Sequence, residues 1–118
     1  MRDHRKLRAF ELADQLALDV YRATRSLPKE EVFGLTSQLR RAAVSAVSNI
    51  VEGCARHSES DYIRFLDIAY GSAREVEYQI SLAFRLGYLR EEESTSLHTL
   101  SAEMSKVLNG LLRALRKA

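Results

Sequence analysis

Gly34-Leu35-Thr36-Ser37-Gln38-Leu39-Arg40-Arg41-Ala42-Ala43-Val44-Ser45-Ala46-Val47-Ser48-Asn49-Ile50-Val51-Glu52-Gly53 is the stretch whose reading decides the fold. Its side chains are mostly small, and the apolar ones return at three- and four-residue steps, the period of an α-helix. At about 100° per residue, Leu39, Ala43, Ala46, Val47, Ile50 and Cys54 share one face. Gln38, Arg41, Ser45, Ser48, Glu52 and Arg56 fall opposite. Val44 and Val51 make a second apolar stripe beside the first, with Arg40 on its line. Small side chains let helix backbones approach closely, so this helix belongs at the centre of a packed assembly. An inner face plus an apolar flank predicts burial on two sides, one of them against another copy. Gly34 is a break before the helix, and Thr36 or Ser37 is expected to cap its first amides.

Working outward, the same period recurs on both sides. Before the break, Phe10, Ala13, Ala17, Val20, Tyr21 and Thr24 keep helical spacing, with Leu12 and Leu16 widening the apolar face. Pro28 stops that helix, because the residue before a proline is pushed out of helical geometry. After it, Ser58-Glu59-Ser60-Asp61 has the capping-box spacing, with Asp in place of Glu. Tyr62, Leu66, Ala69, Ala73, Val76, Ile80 and Ala83 then run to Gly87, a natural helix terminator, with Phe65 and Ile68 widening the face. Glu91, Glu92 and Glu93 suit the positive end of a fourth helix through Leu97, Leu100, Met104, Val107, Leu108, Leu111 and Leu115, while Arg113, Arg116 and Lys117 suit its negative end. The expectation is four helices over about 7–26, 36–56, 59–86 and 91–116. Short loops make sequential helices antiparallel, so the fold class is all-α, an up-down-up-down four-helix bundle forming one domain over residues 1–118.

Composition narrows the function classes. With 46% hydrophobic and 29% charged residues, the chain is a folded protein rather than a disordered one. A single proline and five glycines leave little material for the turns of an all-β fold. One cysteine forms no internal disulfide and fits a reducing compartment. The basic start Met1-Arg2-Asp3-His4-Arg5-Lys6 is not followed by an apolar signal core, and no run is long enough to span a bilayer. A cytoplasmic protein with no membrane association is expected. The net charge of +2 is mild, but its distribution is uneven. Arg2, Arg5, Lys6 and Arg8 crowd one terminus, Arg113, Arg116 and Lys117 the other, and the acids lie mostly between.

No reaction announces itself. A carboxylate-bridged di-metal centre in a bundle needs Glu-x-x-His pairs, and none of His4, His57 and His98 follows a Glu by three positions. Cys54 and His57 have a helical offset but are only two ligands, and Cys54 falls on an apolar face where a thiol acts as a small hydrophobe. No glycine-rich phosphate loop is present. The expectation is therefore no enzyme, no cofactor and no metal. The polar set Ser45, Asn49, Glu52 and Arg56, with Glu75 and Gln79 on the next helix, has two readings: a solvated face, or a network buried between helices or subunits. Arg40 and Arg41 point about 100° apart, so they do not form a joint clamp. Arg41 is left to meet a phosphate or a partner acid, and Arg40 is expected to lay its stem along Val44.

Gly34-Leu35, Gln38-Leu39-Arg40-Arg41-Ala42, Ser45, Asn49-Ile50, Glu52-Gly53 and Arg56 resemble the signature of a bacterial four-helix-bundle family first noticed in intervening sequences of 23S rRNA genes. Tyr62, Arg64-Phe65-Leu66, Ile68-Ala69, Gly71-Ser72, Glu75 and Leu86-Gly87-Tyr88-Leu89 continue the likeness. The chain has Phe10 where that family often has Trp, and Val47 and Val51 where Pro or Ile and Ala are common. The resemblance implies a homo-oligomer, a pentameric ring in characterised relatives. It also implies a role beside RNA, because the family includes the accessory variability protein of diversity-generating retroelements, which binds a reverse transcriptase and nucleic acid through basic surfaces. Candidate contacts to RNA or an RNA-handling protein are then Arg2, Arg5, Lys6, Arg8, Arg41, Arg113, Arg116 and Lys117. Candidate packing or interface residues are Arg40, Val44, Asn49, Val51, Glu52, Arg56 and Glu75. A scaffold with no nucleic-acid role is the alternative, favoured by the near-balanced charge.

Overall fold

Four α-helices occupy the described residues, 2–117, of the computed structural model: α1 (Arg8–Ala23), α2 (Leu35–Cys54), α3 (Glu59–Arg85) and α4 (Glu91–Lys117). Short 3-10 turns at His4–Lys6, Thr24–Ser26 and Lys29–Glu31 complete the path. Each helix packs on its neighbours in the chain, and α4 closes the bundle against α1, giving an antiparallel up-down-up-down arrangement measuring 45 × 23 × 19 Å.

The helix ends show which local signals decide. Leu27, before Pro28, is extended at ψ 151°, and α1 has already tightened into a 3-10 turn. Neither Thr36 nor Ser37 caps α2, contrary to expectation. Helix α2 starts directly after Gly34, whose backbone at φ -112° and ψ -115° is neither helical nor extended, and Thr36 is already buried inside its first turn. The cap is Glu31, whose Oε1 accepts from Leu35 N at 3.0 Å. A β-carbon on Gly34 would sit 2.7 Å from that oxygen, so glycine is what lets the carboxylate in. Ser58 does cap α3, accepting from Asp61 N at 3.2 Å. Helix α3 ends as foreseen, with Gly87 at φ 80°, Tyr88 N bonded to Ala83 O and Gly87 N to Phe84 O. Glu93 Oε1 accepts from Arg90 N at 3.2 Å at the start of α4.

The core follows the predicted stripes with one rotation. The seven residues at the centre of the α3 face are buried, as are Leu39, Ala43, Ala46, Ile50 and Cys54 on α2, but of the two expected to widen the α3 face Phe65 is half-buried and Ile68 is 43% exposed. On α1 the centre of the face is Leu12, Leu16 and Val20, and Tyr21 is 43% exposed instead of buried. Each fully buried Leu or Ile contributes about 1.5–3 kcal/mol over leaving it in water. Helix α4 also buries Ser101 and Ser105, which sequence reading missed. Ser101 bonds to His98 O, and Ser105 donates to Glu77 Oε1 at 2.6 Å, so both hydroxyls are satisfied. The closest seam is α2–α3. A β-carbon on Gly53 would lie 2.9 Å from Phe65 Cβ, so the backbones approach more nearly there than any other residue allows.

Candidate functional site

The antiparallel topology gathers both basic termini at one end of the bundle. Arg2 N donates to Cys54 O at 3.0 Å, and its guanidinium lies 3.9 Å over the Tyr62 ring and 3.7 Å from Glu59. Arg8 reaches Glu103 of α4 at 2.7 Å. Arg116 of α4 pairs with Asp67 of α3. Arg5 is tied to Asp3, whose carboxyl is held below its ordinary value by the side-chain and backbone hydrogen bonds from Arg5. Lys6, Arg113 and Lys117 make no ion pair among the described residues and are exposed. The structure thus sets both termini at one end of the bundle, with Arg8 held at Glu103, ten residues or about 15 Å up α4 from Arg113, and it divides these seven candidate cations into four paired and three unpaired. Arg41 stands apart, thirteen residues before Cys54, about 20 Å up the axis of α2 at 1.5 Å per residue.

A second feature lies on the outer seam between α2 and α3. A groove of about 440 Å³ is lined by Gln38, Arg41, Ala42, Ser45, Ser72 and Glu75. The Ser45 and Ser72 hydroxyls meet at 2.9 Å across its floor. Asn49 donates its amide to Ser45 O at 2.8 Å and to Ser45 Oγ at 3.1 Å. Glu75 accepts from Gln79 Nε2 at 3.4 Å, and Gln79 is buried. Short side chains on the floor make this depression, because Arg41 and Glu75 rise on either side of Ala42 and the serines. Each of the two readings of the polar set holds for one part of it. Ser45 and Asn49 enter a half-buried network between helices, whereas Glu52 and Arg56 pair at 2.7 Å on the surface.

A family model described as 23S rRNA-intervening sequence protein matches residues 5–110. The chain belongs to this family. It is also similar to a solved structure, a protein of unknown function from the S23 ribosomal protein family of Bacteroides thetaiotaomicron. That likeness has 25% identity, a TM-score of 0.81, and covers 89% of this chain and 95% of the other. No curated protein matches.

For an intervening-sequence family member, the placement of the family-like residues is telling. Gln38, Arg41, Ser45, Asn49, Gly53, Phe65, Ser72 and Glu75 all fall along the α2–α3 seam, inside it or on its outer lip. Arg40 leaves that seam. Its guanidinium crosses to α1, where Nε donates to Thr24 Oγ1 at 2.8 Å and the group lies 4.6 Å over Tyr21. Thr24 and the Tyr21 ring offer the guanidinium an acceptor and a π-face. Val44 is 39% exposed and Val51 half-buried, so the apolar flank is uncovered in the single chain. Leu18 and Tyr21 are exposed on neighbouring α1. Sequence reading left Gln38 and Ser72 out of the polar set, since only the pairing of α2 with α3 places them beside Ser45 and Glu75. No helix is long and apolar enough to cross a membrane, and no group of three metal-ligating side chains occurs, both among the described residues. Cys54 is 1% exposed, and burial pushes its thiol above the ordinary value, with the Arg2 charge opposing.

Proposed function

We propose that this intervening-sequence family member is a non-enzymatic, cytoplasmic homo-oligomer that binds structured RNA, or an RNA-handling protein, through the basic end of its bundle. The observation that carries the reading is the convergence of both termini, with Lys6, Arg113 and Lys117 projecting without acid partners among the described residues. Copies arranged with these ends on one side multiply a modest charge into a continuous field for a polyanion. The uncovered stripe of Val44 and Val51, beside Leu18 and Tyr21, supplies an apolar flank for self-association, and the resemblance implies five copies. Neither a cofactor nor a metal enters this reading.

Titrating the chain with a structured RNA across a salt series is the test. Replacing Lys6, Arg113 and Lys117 together with Ala is expected to weaken binding and to lower the salt slope by about one for each phosphate no longer neutralised. Undetectable affinity at physiological salt, or a slope unchanged in the triple variant, sinks the RNA reading. The second reading, an assembly scaffold with no nucleic-acid role, is favoured by the ion pairs that neutralise Arg2, Arg5, Arg8 and Arg116. Partner capture that survives nuclease treatment distinguishes it from the first.

A further inference from the structure

Two side-chain atoms among the described residues are buried without a hydrogen-bond partner, Gln79 Oε1 and Arg56 Nε. Native proteins leave few such groups unsatisfied. Both lie toward the α2–α3 seam. Gln79 is 4% exposed and bonds to Glu75 on the groove wall, and Arg56 lies 4.9 Å over Phe65 of α3. Between them runs the groove, with exposed Arg41 on one wall and exposed Glu75 on the other. Neither forms an ion pair among the described residues. Ile68, 43% exposed, continues the line Ser72, Glu75 and Gln79 along α3 at helical spacing and adds an apolar element. A cation and an anion displaced across one groove are complementary to the same groove turned by half a revolution. A two-fold axis over the groove sets Arg41 of each copy against Glu75 of the other.

We infer that the α2–α3 groove docks a second copy of this chain through reciprocal Arg41–Glu75 pairs, with Ile68 at the margin of the contact. The inference rests on the self-association proposed above and assigns Arg41 to assembly instead of to RNA. A two-fold contact closes after two copies, so it joins two chains or two rings and does not itself build a ring of five.

Charge reversal tests this, read as the mass of the full chain by light scattering over a dilution series. Arg41→Glu and Glu75→Arg each face like charge against like across the axis and are expected to weaken pairing roughly a hundredfold. Mixing the two variants in equal amounts sets opposite charges at both contacts of the mixed pair, so the mixture is expected to pair more tightly than either variant alone. Restoration by the double variant in one chain but not by the mixture overturns the inference, because it places the pair within a single copy. Single variants with native mass also overturn it while leaving self-association standing. A native chain at 13.4 kDa at every concentration removes both readings together. Loss of RNA affinity in Arg41→Glu at unchanged mass returns Arg41 to the nucleic-acid surface and overturns the assignment. Both side chains are exposed, so each variant is expected to fold, with unfolding by circular dichroism as the check.

Discussion

Gly53→Ala puts the packing argument at its sharpest. Alanine in place of glycine within a helix ordinarily stabilises by about 0.5–1 kcal/mol, since it narrows the unfolded ensemble. At Gly53 the added β-carbon would meet Phe65 Cβ at 2.9 Å, Tyr62 Cδ1 at 3.4 Å and Tyr62 O at 3.5 Å. Phe65 Cβ is fixed to the α3 backbone and cannot swing aside, so α2 and α3 must separate or twist. Overpacking of that kind costs about 1–3 kcal/mol. It outweighs a propensity gain that is itself reduced next to the helix end at Cys54. The expected net change is a loss of about 1–2 kcal/mol, or roughly 3–10 °C in Tm for a chain of this size. Gly71 and Gly110 are the internal controls, because each sits in a helix with nothing within 4 Å of its would-be β-carbon. Gly71→Ala and Gly110→Ala are expected to gain about 0.5–1 kcal/mol each. Thermal and urea unfolding followed by far-UV circular dichroism measures all three. If Gly53→Ala proves as stable as Gly71→Ala, the close approach of α2 and α3 is not what glycine provides there.

Two further perturbations probe other parts of the bundle. Glu31 joins the two loops at the end opposite the termini, accepting from Leu35 N and from the Tyr88 hydroxyl, both at 3.0 Å. Glu31→Ala is expected to cost about 1 kcal/mol for the lost cap, read from urea midpoints at pH 7. The hydrogen bond to Glu31, with burial second, raises the Tyr88 phenol above its ordinary value near 10. A folded value above the unfolded one means its contribution is complete below about 10 and vanishes as pH rises through the folded value. The gap between native and Glu31→Ala chains should therefore narrow above pH 10, and a gap that widens contradicts the bond. For Cys54, burial and the raised pKa predict that a thiol reagent at pH 8 labels the native chain at least about a hundredfold more slowly than the urea-unfolded chain. Equal rates would show that the thiol is open to solvent.

The parts of this fold that were legible in the sequence are those governed by local period and local termination. The apolar line from Tyr62 to Ala83, the cap at Ser58 and the left-handed glycine at Gly87 depend on residues a few positions apart, and each stands where periodicity put it. What was not legible depends on partners brought in from elsewhere. Thr36 has the chemistry of a cap, but Glu31 reaches the first amide of α2 before it, and Gly34 clears the path. Arg40 turned to α1 because Thr24 and Tyr21 lie there, and Tyr21 is in turn left partly in water under that guanidinium. On the candidate surfaces, the two basic termini were visible as clusters. Their meeting at one end and their partial neutralisation by Asp67 and Glu103 required the fold.

Small side chains account for both the tightest seam and the groove outside it, by the same geometry. Where α2 and α3 face the core, Gly53 removes the one atom that would hold the backbones apart. On the outer lip, Ala42, Ser45 and Ser72 are equally short, but there nothing of the chain fills the space above them. Close backbones therefore carry their long neighbours, Arg41 and Glu75, to opposite rims of a shallow channel. A looser seam built from leucines would spread those rims and fill the floor. The residues that hold this bundle together thus also define the surface it offers, and a change that loosens α2 from α3 should disturb stability and assembly in the same variant.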